Sequence, residues 1–478
     1  MKISDYPKFE SALSQGRPIT FLCGAGLSVS LGDHAKGWVG WLKEGKAYLS
    51  DVEAEELDRR FGSYSASELI DAASFLIEAL RKNGNYTAYM DSTIGSLRVQ
   101  NKKLANALAL FVRCGDYFAT TNYDKLLEEV TGLGYYTYNM PGKIVQMLSG
   151  QAEMSVIHLH GIYDAATNTD DIVADQKQYE DVIANQGAQF IQNLISTCTL
   201  VILGCGATVD DPNLKGFMSF ASKQLHLNIP YFYLHKAGDD LSDLGPNVIP
   251  VCYGMEYSDL SNAVEDMANY RIRTRYRDSG IIRVNPYVKT RKSFTASYRL
   301  HYLNEFCKFV GREKELVELN RFCSADKELL WWSLVGKGGI GKSRLVYQWL
   351  KQLSNNWFGF FAKTDVDVER YREFKPFSDT VIVIDYVLGN EDKCATIVTT
   401  LFERFEYSRF KLRLLFVDRR YQNNENNWYD RIVEKMDMQT RLWFQECSYN
   451  NKTILSPLVI SELSEEEELE FINVYLEA

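Results

Sequence analysis

None of the nine cysteines in this 478-residue sequence pairs with another in a C-x-x-C arrangement. That excludes a zinc ribbon, and an odd, scattered set of thiols points to a reducing, cytoplasmic setting rather than a disulfide framework. Long apolar runs are also missing. No uninterrupted stretch approaches the roughly 20 residues of a membrane helix, and the opening Met1-Lys2-Ile3-Ser4-Asp5-Tyr6-Pro7 has no signal-peptide core. A soluble protein with no membrane partner is therefore expected. Positive charge is in short supply: 53 basic residues stand against 63 acidic ones, for a net charge of -10. That balance argues against sequence-blind nucleic-acid binding and gives no reason to expect a specific one. No internal repeat or low-complexity tract interrupts the chain. What is present suits a globular protein, with 46% hydrophobic and 24% charged residues, and the length allows two or three domains.

Short apolar runs bounded by Gly, Pro, Asn or Asp recur through the first half: 19–23, 117–120, 156–159, 200–203 and 231–234. Helix-compatible stretches separate them, as in a parallel sheet covered on both faces. Residues 52–110 read as wholly helical, a lid or small subdomain. The expected fold class is α/β: a Rossmann-like, doubly wound parallel sheet with a helical insertion over residues 1–270. A second α/β domain of the P-loop NTPase kind follows over 306–478, with strands expected at 331–335, 381–384 and 412–416. Between them, residues 271–305 carry Arg271, Arg273, Arg275, Arg277, Arg283, Lys289, Arg291 and Lys292. They read as a basic linker with a solvated face. The acidic run 465–468 opens a helical region near the end, so a chain continuing beyond this sequence is expected.

Gly336-Lys337-Gly338-Gly339-Ile340-Gly341-Lys342-Ser343 fits G-x-x-x-x-G-K-[ST] between an apolar strand and a helix. Glycines at 336, 338, 339 and 341 let backbone N–H groups converge on phosphate oxygens at a helix start. Lys342 would reach the terminal phosphates of ATP or ADP, and Ser343 would ligate Mg²⁺. Asp385, closing the run Val381-Ile382-Val383-Ile384, supplies the carboxylate that holds the metal through water. Tyr386 follows it where a second acid would activate water, so hydrolysis is left open. Arg419 and Arg420 either sense the γ-phosphate or lie on the surface. With Val310-Gly311-Arg312-Glu313-Lys314-Glu315-Leu316 ahead of the glycine loop, this half resembles the signal-transduction ATPases with numerous domains (STAND). The resemblance implies a nucleotide-held switch that assembles as a homo-oligomer when a C-terminal sensor, absent here, meets its trigger.

In the first half, Cys23-Gly24-Ala25-Gly26-Leu27-Ser28 follows the first strand. Small residues at 24–26 would let a dinucleotide's pyrophosphate approach a helix start, although the third glycine of the dehydrogenase fingerprint is missing. Thr120-Thr121-Asn122-Tyr123-Asp124, His158-Leu159-His160-Gly161 and Gly204-Cys205-Gly206-Ala207-Thr208-Val209-Asp210-Asp211 end later strands. In a doubly wound sheet these four segments could share one cleft. The ordered set Gly-Ala-Gly-x-Ser, Thr-x-Asn-x-Asp and His-Gly resembles the sirtuin-like fold over about residues 10–260. Two departures separate it from the deacylases: the zinc cysteines are absent, and Val29-Ser30-Leu31-Gly32-Asp33-His34 replaces the Pro-Asp-Phe-Arg loop. The likeness is to the prokaryotic antiviral defence proteins of the Avs type, whose branch hydrolyses NAD⁺.

By that resemblance Asn122 orients the ribose or the water, and His160 is the general base; an imidazole's unperturbed pKa of about 6.5 suits the task. Gly24, Ala25, Gly26, Ser28, Asp124, Gly204 and Asp211 would line the NAD⁺ site. Ser28 is expected on phosphate or ribose rather than as a nucleophile. Simpler roles stand beside these. Asn122 or Asp124 could cap the helix expected from Tyr123, Asp210 and Asp211 could cap the next one, and His158 reads as a core residue. Its pairing with His160 on a metal lacks a third ligand. The function expected is an NAD⁺ glycohydrolase acting in abortive infection under an ATP-binding switch, triggered by a phage protein. Alternatives are a non-catalytic NAD- or ADP-ribose-binding scaffold and, disfavoured, a protein deacylase.

Overall fold

Runs rich in Val, Ile, Phe and Tyr become strands here because helices cover both faces of the sheet and leave no polar face to satisfy. The computed structural model describes residues 1–15, 17–62, 64–185, 188–189, 191, 195, 198–205, 229–241, 244, 247–275, 281–287, 301–354, 356–365, 369–372, 374, 376, 378–405, 410–419, 427–449 and 456–477. The chain divides into two compact units, Met1–Arg271 and Ile272–Ala478.

Among the described residues, nine strands belong to the first unit: Thr20–Cys23 (β1), Tyr117–Thr120 (β2), Gly134–Thr137 (β3), Ser155–His158 (β4), Tyr163–Asp164 (β5), Thr169–Asp170 (β6), Leu200–Leu203 (β7), Tyr231–Lys236 (β8) and Val248–Gly254 (β9). Seven form one sheet in the order β3-β4-β2-β1-β7-β8-β9, and every pairing in it is parallel. β5 and β6 form a separate antiparallel hairpin. Phe21, Phe118, Val156, Val201 and Phe232 pack into the core on one side. Their neighbours Leu22, Ala119, Ile157, Ile202 and Tyr231 pack into the other. This is the α/β, doubly wound arrangement anticipated from the sequence. From β1 the chain winds outward through β2 to β3 at the edge, steps back to place β4 between them, then returns to the far side of β1 as β7. The crevice above β1 and β7 is where such sheets place ligands.

Two edge strands escaped the sequence reading. β3 is only partly buried, and β9 contains Pro250, which an edge tolerates because one side of the ladder is unpaired. The insertion is helical as expected, with helices Asp51–Arg59, Ala66–Lys82, Tyr86–Met90 and Lys102–Arg113. Ser50 with Glu53 and Ser65 with Glu68 form capping boxes that fix two of the helix starts. Its core of Trp41, Leu57, Leu76 and Tyr89 meets Tyr123, Tyr163 and Ile172, so the insertion is packed on the loop that follows β2.

The basic stretch does not begin as a solvated arm. Arg271 lies in the helix Asp259–Arg275 and is fully buried. Its guanidinium donates to both oxygens of Asp116, at 3.1 and 2.7 Å, and to the carbonyls of Leu13, Gln15 and Arg17. Asp116 also accepts the Ile19 N–H at 2.9 Å. One ion pair thus ties this helix to the entrances of β1 and β2. Residues 276–280 and 288–300, the rest of the expected linker's core, lie outside the described residues.

In the second unit, strands Ile282–Val284 (β10), Leu329–Val335 (β11), Trp357–Ala362 (β12), Asp379–Asp385 (β13), Leu412–Asp418 (β14) and Leu458–Val459 (β15) form a sheet ordered β10-β12-β13-β14-β11-β15. Only β10 runs antiparallel. β12 was missed in the sequence because Gly359 interrupts Trp-Phe-Gly-Phe-Phe-Ala. A Cβ at Gly359 would stand 2.4 Å from Leu350 Cδ2, so the glycine admits a covering helix. Among the described residues, no helix is long and apolar enough to cross a membrane.

Candidate functional site

Parallel pairing brings the ends of β1, β2, β4 and β7 to one edge, and the polar motifs follow those ends. After β1 the chain turns into the helix Ala25–Leu31, with Gly24 as its N-cap. Gly204, just past β7, lies directly against it. The Gly24 N–H donates to the Leu203 carbonyl and the Gly26 N–H to the Gly204 carbonyl, both at 2.9 Å. A Cβ on Gly24 would meet Cys205 Cα and Gly204 O at 2.7 Å, and one on Gly26 would meet Gly204 O at 3.0 Å. The small residues expected to admit a pyrophosphate therefore also allow two loops to touch. The Gly26 amide is already engaged by a carbonyl.

Ser28, Asn122 and Asp124 form one hydrogen-bonded chain. The Asn122 carboxamide donates to Ser28 Oγ at 2.8 Å, and the Ser28 hydroxyl donates to Asp124 Oδ2 at 2.7 Å. Asp124 Oδ1 accepts the Leu126 N–H at 3.0 Å, but the N-cap of the following helix is Lys125, so Asp124 stands one residue ahead of the cap position. That helix spans Leu126–Thr131 and starts three residues later than expected. Asn122 caps nothing with its side chain. Its N–H donates to Thr120 Oγ1 at 2.9 Å, and the Thr120 hydroxyl donates to the Cys23 carbonyl at 2.9 Å. Burial raises the Asp124 pKa, and the hydrogen bonds from Ser28 and Leu126 only partly oppose that.

His158 and His160 do not share a strand face. β4 ends at His158, and His160 lies in the turn beyond it. His160 is buried, with its ring edge-on to Tyr179 at 5.4 Å and its carbonyl accepting the Val173 N–H at 2.8 Å. His158 is fully buried, as its core reading required, yet it is polar in its contacts. Nε2 lies 2.7 Å from Glu128 Oε1 and Nδ1 3.0 Å from the Asn122 carbonyl oxygen. Glu128 was missed. In Leu-Leu-Glu-Glu-Val it has the spacing of a solvated helix position, and only the fold brings it under β4. Asp210 and Asp211, candidate ribose contacts, lie outside the described residues, as does Arg420.

The glycine loop after β11 has its own geometry. Gly339 and Gly341 adopt φ of 81° and 95°, a region closed to most side chains. Gly341 is the N-cap of the helix Lys342–Gln352. Lys342 Nζ donates to the Gly336 and Lys337 carbonyls at 2.6 and 2.7 Å. Ser343 Oγ donates to Asp385 Oδ2 at 2.9 Å. Burial raises the Asp385 pKa and lowers that of Lys342. Arg419 follows Asp418 at the end of β14, with its Nε 3.6 Å from where a Cβ on Gly338 would be. Arg312 donates to the Ser461 carbonyl at 2.7 Å and to the Ile340 carbonyl at 3.4 Å.

The first unit is thus an α/β fold with a polar constellation at its switch point. Residues 116–244 match the family model of the SIR2-like domain, a span that contains Asn122, Asp124, Glu128, His158 and His160. Among solved structures, one reported as "Structural Basis for the Mechanism and Regulation of Sir2 Enzymes" is 12% identical, with 56% of this chain and 97% of that chain covered at a TM-score of 0.29. A SIR2-like segment is consistent with an NAD-utilising enzyme.

Proposed function

We propose that the first unit hydrolyses NAD⁺ to nicotinamide and ADP-ribose. The observation that carries this is the Asn122–Ser28–Asp124 chain at the switch point, with Ser28 and Asp124 buried and Asn122 partly exposed, and with His160 in the turn after the neighbouring strand. Cleavage breaks the bond between ribose C1′ and the nicotinamide nitrogen. The bonding pair stays on that nitrogen and discharges its positive charge, so the leaving group needs no acid. Water adds to C1′ and gives up a proton. In this reading Asn122, anchored on Ser28, orients the ribose or the water, and His160 takes the proton. Gly24, Ala25, Gly204 and Asp211 would flank the dinucleotide. Ser28 acts mainly through Asn122 and Asp124, because its hydroxyl already holds both.

The second unit, on the same proposal, binds ATP or ADP with Mg²⁺ in a STAND-type switch. Three features support it: glycines at positive φ opening a helix, a lysine held by loop carbonyls, and the Ser343–Asp385 pair. Those two hard oxygen donors suit a small divalent cation. Arg419 beside Gly338 would sense the terminal phosphate. The role we assign is an antiphage effector that depletes NAD⁺ once nucleotide binding drives assembly of a homo-oligomer.

The test is NAD⁺ consumption by the purified chain, with products resolved by chromatography, beside Asn122→Ala and His160→Ala. Either substitution is expected to lower turnover by about 10²-fold or more. Turnover unaffected by both would sink the catalytic assignment. NAD⁺ bound but never cleaved, even at high protein concentration, would identify a binding module instead. An acylated ADP-ribose product would identify a deacylase.

A further inference from the structure

His158 presents a proton-counting problem. Each ring nitrogen faces an oxygen: Nδ1 the Asn122 carbonyl at 3.0 Å, Nε2 the Glu128 carboxylate at 2.7 Å. A backbone carbonyl can only accept, and so can an ionised carboxylate. Both bonds exist together only if the imidazole carries both protons, or if Glu128 carries one and donates it to Nε2. The two forms have the same net charge and differ by one proton moved along one hydrogen bond. Burial disfavours the charged ring, but the charge and hydrogen bond of Glu128, with the Asn122 carbonyl and Asp124, outweigh it and raise the His158 pKa. The other groups nearby are Tyr135, edge-on at 6.1 Å from β3, and His160, two residues on. Glu128 Oε2 is buried without a hydrogen-bond partner among the described residues, so His158 is the group among them that balances that carboxylate through a hydrogen bond.

The consequence falls on Asn122. Its N–H is tied to Thr120 Oγ1, its carboxamide to Ser28 Oγ, and its carbonyl to His158. With the ring doubly protonated, the third tie is charge-assisted and therefore the strongest kind of the three. We propose that His158 and Glu128 form a positioning dyad, in which a buried imidazolium balanced by the Glu128 carboxylate grips the Asn122 carbonyl and fixes the direction of the Asn122 side chain. Neither residue touches substrate. The kinetic part of this proposal rests on the hydrolase reading; the protonation part does not.

Two measurements on the full chain test it. In protein labelled with ¹⁵N-histidine, the His158 resonances, assigned by their loss in His158→Gln, are expected to show both ring nitrogens protonated at neutral pH. A bare, unprotonated nitrogen would overturn the imidazolium. In NAD⁺ turnover, His158→Phe, which keeps the bulk, is expected to lower kcat about 10–100-fold while KM stays within about threefold, because an interaction acting through Asn122 adds little to ground-state binding. Glu128→Ala should behave likewise. Glu128→Gln should recover most of kcat, since a Gln amide can donate to Nε2 and leave the Nδ1–H on Asn122. Wild-type kcat in His158→Phe, or a Glu128→Gln as slow as Glu128→Ala, would reduce the dyad to core filling. Glu128→Gln also keeps the test open if His158→Phe fails to fold. Should the wild-type chain consume no NAD⁺, the hydrolase reading fails and the resonance measurement alone decides the dyad.

Discussion

At the scale of single residues, Ser28 is the hub of the site because its hydroxyl donates to buried Asp124 and accepts from half-buried Asn122. Ser28→Ala removes both bonds and leaves Asp124 Oδ2 buried. A loss of about 1–3 kcal/mol is expected in urea denaturation, with a fall in NAD⁺ turnover. A variant as stable as the parent would mean that Asp124 finds another donor. His158 carries a pH signature. Its pKa is raised in the fold, so the fold binds that proton more tightly than the unfolded chain, whose imidazole titrates near 6.5. The stability this contributes is present below about pH 6.5 and lost as pH rises through the folded value. Denaturation curves at pH 6 and pH 9 are expected to show a larger fall for the parent than for His158→Gln, and equal falls would contradict the shift.

Elements depend on contacts that no local pattern announces. The loops after β1 and β7 meet through glycine: Gly204 has φ of 66°, and a Cβ there would lie 2.2 Å from the Leu27 nitrogen. Gly204→Ala is expected to lower the melting temperature and to weaken NAD⁺ binding together, because the displaced backbone carries the helix holding Ser28. Binding unchanged in a destabilised variant would separate the two. At the other edge of the sheet, Arg271→Ala would leave Asp116 buried without its counter-charge, at a cost of about 3–5 kcal/mol. Arg271 lies far from the site edge in the sheet, so the surviving folded fraction should keep its NAD⁺ turnover per folded molecule.

For the whole molecule, the prediction concerns coupling between two units of different chemistry. Lys342→Ala removes the ammonium now resting on the Gly336 and Lys337 carbonyls and is expected to abolish ATP binding measured by calorimetry. If the second unit controls the first, NAD⁺ turnover in this variant should no longer respond to ATP and Mg²⁺, while Asn122→Ala should lose turnover and still bind ATP. A parent enzyme indifferent to ATP at every protein concentration would show that the units share a chain and not a mechanism.

Much of this was legible in the sequence. The buried runs Thr20-Phe21-Leu22-Cys23, Tyr117-Phe118-Ala119-Thr120 and Leu200-Val201-Ile202-Leu203 are apolar at every consecutive position or nearly so, which, with helix-compatible stretches between them, fits a parallel sheet covered on both faces. The order of Gly24, Asn122 and His160 at strand ends marked one edge of that sheet. Edge strands were harder to read, because β3 and β9 are half-exposed and lack the same signal. What only the tertiary structure decided is the pairing of charges. Arg271 is one of four alternating arginines and Glu128 one of two adjacent glutamates, and composition alone makes both look solvated. Each is buried because a partner distant in sequence, Asp116 or His158, meets it there. Burial of a charge is a property of the pair, and a pair that far apart in sequence exists only once the sheet has formed.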